Sequence, residues 1–181
     1  MRHPASLVDP ATHSQQVMRL VDIDPCSDET IDYYVGKIVC AAQQGLKNGG
    51  SKKLVCAPVR EPFRSFAHFV RSVMARAQAT PATMLTSLVY VERIGPRVQI
   101  RRAHYAFERI FLGALLVADK YTNDSTIRNR DWALCTRLFR VRHLQLIERG
   151  FLKSLHWDLR VTEMDLLRHY EGLAGSLKEK P

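Results

Sequence analysis

Apolar residues recur along this chain at every third or fourth position, and that spacing predicts helices nearly throughout. Ile31, Tyr34, Val35, Ile38, Val39 and Ala42 fall at i, i+3, i+4, i+7, i+8 and i+11, one face of an amphipathic helix. Ser27 precedes them as a cap, with Asp28 and Glu29 in the first turn, where negative charge suits the helix dipole. Asn48-Gly49-Gly50 stops the helix. Phe63, Phe66, Val70 and Val73 form the face of a second helix, with Arg64, Arg71 and Arg76 off it. Thr80-Pro81 reads as N-cap and first helical residue, because proline's missing N–H costs nothing there. Met84, Leu85, Leu88, Val89 and Val91 follow, up to Gly95-Pro96.

A helix expected over about 102–121 is apolar on nearly every side from Ile110 through Ala118, which places it at the centre of the molecule. Gly113, Ala114 and Ala118 would let neighbouring helices approach closely, and Asn123-Asp124-Ser125 ends the element. A short helix over about 129–139 carries Trp132, Cys135 and Leu138. Another over about 141–155 turns Leu144, Ile147, Phe151, Leu152 and Leu155 inward. Thr162 is placed to cap a short final helix with Leu166, Leu167, Tyr170 and Leu173. No alternating strand pattern and no fixed-period repeat interrupts this series, so the fold class is all-α. Residues 1–26, with Pro4, Pro10 and Pro25, are expected to form an irregular arm.

The length of 181 residues suits one domain with a tail, large enough to fold without a disulfide or metal staple. Cys26, Cys40, Cys56 and Cys135 form no CxxC pair, and the seven His form no HxxxH or HExxH pair. Free thiols and no metal site are expected. No apolar run is long enough to span a membrane, and no apolar segment of the secretory kind follows Met1-Arg2-His3-Pro4. The expected location is cytoplasm or nucleus. Gly45 to Lys52 has a phosphate-loop flavour, but Ser51 and Lys52 stand in the wrong order and no strand precedes them. There is no GxSxG elbow and no kinase motif set. No catalytic residue and no cofactor is expected.

The stretch from Phe111 to Asp124 resembles the third helix of a cyclin box, where Ala-x-Lys-Tyr/Phe closes a buried helix; here it reads Ala118-Asp119-Lys120-Tyr121. More narrowly, Arg109-Ile-Phe-Leu-Gly113 and Lys120-Tyr-Thr-Asn-Asp124 resemble the PHO/PCL group, the P-type cyclins with a single box. Residues 79–93 are similar to that group's second box helix, Asn129-Arg-Asp-Trp132 to its Asn-x-x-Trp, and residues 146–159 to its fifth helix and exit. The resemblance implies five helices around a buried third helix. It divides the chain into an arm (1–26), an N-terminal helix (27–50), a connector (51–62), the cyclin box (63–160) and a C-terminal helix and tail (161–181).

It also implies a non-catalytic subunit that binds and activates a cyclin-dependent protein kinase, with protein substrates or inhibitors as further partners. In cyclins a Lys at the end of the third helix and a Glu of the fifth bond the kinase backbone; the matching positions are Lys120 and Glu148. Asp119 departs from the pattern, since many cyclins have a small residue there. Leu116, Tyr121 and Phe151 are candidates for apolar contact, Trp132 and Trp157 for packing, and Arg128, Arg130, Arg137 and Arg140 for an acidic or phosphorylated partner.

The charge sharpens the choice of partner. The chain has 27 Lys and Arg against 18 Asp and Glu, a formal +9. Residues 1–60 hold 7 basic and 6 acidic residues, and residues 61–181 hold 20 and 12, so the excess lies on the expected box. It suits an acidic kinase face or a phosphorylated protein. The competing reading is a helical nucleic-acid-binding, transcription-factor-like domain, which the charge also suits but which lacks a recognition helix rich in Arg, Asn and Gln.

Overall fold

The computed structural model describes residues 20, 22–48, 60–100 and 104–178. Among them run seven helices and no strand: α1 Asp28–Asn48, α2 Arg60–Ala77, α3 Pro81–Ile94, α4 Ala106–Thr122, α5 Asn129–Thr136, α6 Val141–Ser154 and α7 Glu163–Lys178. The helix starts follow from the caps. The Ser27 hydroxyl accepts from the Thr30 amide at 3.2 Å, and Thr80 Oγ1 from the Thr83 amide at 3.1 Å, with Pro81 at the first helical position. At α7 the capping is reciprocal. The Asp165 amide donates to Thr162 Oγ1 at 3.3 Å, and the Thr162 amide donates back to Asp165 Oδ2 at 3.0 Å. The same Thr162 bonds, ahead of the nearby Arg93 and Arg168, hold the Asp165 carboxyl below its ordinary pKa.

Helix α4 is the axle, as its all-round apolarity predicts. Phe111, Leu112, Ala114, Leu115, Leu116 and Ala118 are fully buried, and α1, α2, α3 and α6 pack around them. The Phe111 ring meets Tyr34, Phe66 and Phe69 edge-on, with centroids 5.6, 6.4 and 5.9 Å apart. Gly113 sets the approach of α6: a Cβ there would stand 2.5 Å from Phe151 Cδ2. Gly113→Ala should therefore destabilise the fold. Overpacking costs about 1–3 kcal/mol, partly offset by about 1 kcal/mol of helix propensity. A urea titration that finds the variant as stable as the parent would refute this close packing.

The flanking helices are tied to the core by polar contacts. Tyr34 donates to Ser87 Oγ at 2.6 Å, and Ser87 donates on to the Met84 carbonyl, so both buried hydroxyls are satisfied. On α7, His169 is only 2% exposed. Its Nε2 lies 3.1 Å from Glu92 Oε2 and its Nδ1 lies 3.4 Å from the Tyr33 hydroxyl. A neutral ring protonated at Nε2 suits both neighbours. Burial lowers its pKa to about 4, helped by Lys37 and Arg168 and opposed by Glu92 and Asp165. Between about pH 6.5 and pH 4 the unfolded chain then takes up a proton that the native ring refuses. The contribution of His169 to stability should fall as pH drops through that window, by about 3 kcal/mol, and level off below it. His169→Gln should flatten this slope in denaturant titrations run at several pH values.

Several boundaries differ from the sequence expectation. The final helix is long, 16 residues, because the capping box starts it firmly and Leu173 is buried near its end. Helix α5 stops at Thr136 and not near 139, since Arg137 takes a left-handed conformation (φ 52°) and closes it. Helix α4 begins at Ala106, after Tyr105 at φ 55°. Helix α2 begins at Arg60, inside the stretch expected as connector. Most of the expected arm, the rest of the connector and the Phe63 side chain lie outside the described residues.

Candidate functional site

The last turn of α4, the start of α5 and the middle of α6 converge on one polar cluster. Lys120 Nζ lies 2.5 Å from Glu148 Oε1 and donates to Asn129 Oδ1 at 3.1 Å. The Asn129 amide donates to the other carboxylate oxygen, Glu148 Oε2, at 3.0 Å. Each of the three side chains thus contacts the other two. Glu148 is held at 16% side-chain exposure, whereas Lys120 keeps 35%. Such a cluster offers donors and acceptors to an incoming backbone with little left to order on binding.

Asp119 explains why the cluster is fixed. It is 5% exposed. Its Oδ1 accepts from Asn123 Nδ2 at 2.8 Å, and its Oδ2 from the Ile127 amide at 3.1 Å. Asn123 also donates to Thr83 Oγ1 at 3.2 Å. One buried carboxylate therefore shapes the loop that delivers Asn129 to Lys120. The unusual acidic residue at this position organises the turn and is not itself presented to solvent.

Tyr121 stands beside this cluster, 47% exposed, with its ring edge-on to Tyr90 at 6.3 Å. The other two apolar candidates are corrected. Leu116 is fully buried, and Phe151 is 6% exposed against Gly113, so both are core residues and neither is presented beside the cluster. Trp132 packs as expected, at 1% exposure. Trp157 does not: it is 64% exposed, because His156 and Trp157 both take positive φ where the chain leaves α6. Arg128, Arg130, Arg137 and Arg140 are all exposed, and no ion pair holds any of them among the described residues. Asn129 was read from the sequence only as part of a motif. Its role as the bridge between Lys120 and Glu148 comes from the fold.

Among the described residues no group of His, Cys, Asp and Glu could hold a metal, and no helix is long and apolar enough to cross a membrane. Residues 57–160 match the cyclin N-terminal domain. The chain belongs to the cyclin family. The matched residues hold α2–α6, the five helices of one box, with α1 and α7 flanking it. This cyclin is 31% identical over 115 residues to PHO85 cyclin-9 of Saccharomyces cerevisiae, covering 62% of the chain and 38% of that protein. It is 32% identical over 119 residues to PHO85 cyclin-1 of the same yeast, covering 64% of the chain and 42% of that protein. The likeness to the PHO/PCL group read from Arg109 to Asp124 therefore holds, and the chain spans about two fifths of the length of these relatives.

Proposed function

We propose that this cyclin is the regulatory subunit of a cyclin-dependent serine/threonine kinase and contributes no catalytic group of its own. The observation that carries this reading is the assembled Lys120–Asn129–Glu148 cluster with Tyr121 exposed beside it. Its similarity to the yeast PHO85 cyclins supports it. A protein kinase needs the Glu of its mobile C helix paired with a strand Lys before the ATP phosphates are placed. A partner that contacts only the inward C helix shifts the population toward the active state by its differential affinity. Lys120 would donate to kinase backbone carbonyls and Glu148 would accept from backbone N–H groups. The α4–α6 core behind them gives the rigidity that such selection requires.

The deciding experiment is co-expression with the cyclin-dependent kinases of the source organism. A stable 1:1 complex with a gain in kinase activity is the expected result. Tight duplex-DNA binding that weakens steeply with salt, with no kinase associating, would instead favour the nucleic-acid reading suggested by the exposed arginines.

A further inference from the structure

Helix α6 carries a second feature on the flank turned away from Glu148. A groove of about 500 Å³ opens between α6, the first turns of α4, and the segment that follows α3. Its floor is apolar, built from Ile94, Ile110, Phe139, Ile147 and Phe151. Leu146 stands in its wall at 66% exposure. The volume falls in the range of about 300–1,000 Å³ typical of pockets that hold ligands.

Arg109 and His143 line it, and among the described residues no Asp or Glu does. An apolar floor with an arginine and no carboxylate in its described wall fits a ligand with the opposite pattern. We propose that this groove docks an acidic peptide segment of a partner protein, with apolar side chains seated on the floor and Asp or Glu residues facing Arg109.

The groove is separate from the Lys120–Glu148 cluster. Residues advance by about 100° each around a helix. His143, Ile147, Gly150 and Ser154 share the groove stripe, Leu144 and Leu155 face the core, and Glu148 lies beyond them on the other side. A peptide in the groove leaves Glu148 uncovered. The proposal therefore does not rest on the kinase reading and is tested on this chain alone.

Gly150 supplies a clean probe. It lines the groove, and a Cβ built there meets nothing within 4 Å. Gly150→Trp would fill the groove while leaving the helix backbone unstrained. The test is selection of a random-peptide phage library on the purified protein, followed by fluorescence anisotropy with the enriched peptides. The expected peptides pair apolar anchors with flanking Asp or Glu. Their affinity should fall at least about tenfold in Gly150→Trp and in Leu146→Asp. Arg109→Glu should weaken them comparably and reduce their salt dependence. Circular dichroism melts confirm that each variant folds, and any that does not is set aside for the other two. Enrichment of basic peptides, no enrichment at all, or binding indifferent to the folded variants would overturn the proposal. So would concentration-dependent dimerisation of the chain that Leu146→Asp abolishes, because the occupant would then be a second copy.

Discussion

Glu148→Ala should weaken the proposed complex with a cyclin-dependent kinase by about 30- to 4,000-fold, while the free protein loses less than about 1 kcal/mol of stability. The contrast comes from the setting of the Lys120–Glu148 pair. In the free chain the pair is partly solvated, Lys120 keeping 35% side-chain exposure, so its own contribution is small. In a complex the same groups would be desolvated against a backbone. Truncating one partner of a buried, hydrogen-bonded charge pair typically costs about 2–5 kcal/mol. Lys120→Ala should do the same. Asn129→Ala, which removes the bridge at 3.1 and 3.0 Å but neither charge, should cost about tenfold. Isothermal titration against the kinase beside urea titration of the free variants measures both sides. Equal losses of stability and binding would mean that the cluster only holds α4 to α6.

Trp132→Ala should lower the stability of the free protein by about 3–5 kcal/mol, the largest loss expected from a single truncation. At about 2–4 °C per kcal/mol for a chain of this size, melting should fall by about 6–20 °C. Helix α5 has only eight residues, packs on α2 and α6, and has this fully buried indole as its largest buried side chain. Losing it would also release Asn129 at the start of the same helix, so kinase binding should weaken in step. Trp132→Phe should cost less, under about 2 kcal/mol. The indole N–H has no partner among the described residues, and removing an unsatisfied buried donor recovers part of the cavity cost. If Phe proves as costly as Ala, the indole nitrogen must be bonded after all.

What the sequence disclosed and what it hid have separate physical causes. Apolar spacing gave the helices, and the Ser27, Thr80 and Thr162 caps gave their starts, because both signals are local. The turns at Tyr105, Arg137 and His156-Trp157 were not legible, since they use left-handed residues other than glycine. Nothing in composition marks such positions. Leu116 could not be separated from Tyr121 by pattern, because α4 is apolar on nearly every side through its middle and only its first and last turns reach solvent. Lys120 and Glu148 came from resemblance, whereas their bridging Asn129 and the buried Asp119 beneath them needed the third dimension. The groove is not legible in the sequence because its lining joins residues 94 to 154, which no window along the chain brings together.

The three stripes of α6 also limit how this helix can vary. Glu148, the core pair Leu144 and Leu155, and the groove residues Ile147 and Gly150 are locked in angular register by one backbone. A substitution alters one stripe and spares the others, so each flank is free to change its partner through point changes alone. A single inserted residue between Leu144 and Ile147 would instead turn everything after it by about 100°. It would swing Glu148 away from Lys120, the groove away from Arg109 and Phe151 out from under Gly113 in one event. Among descendants of this sequence, length changes should therefore collect in the segments between helices, and α6 should diverge by replacement only.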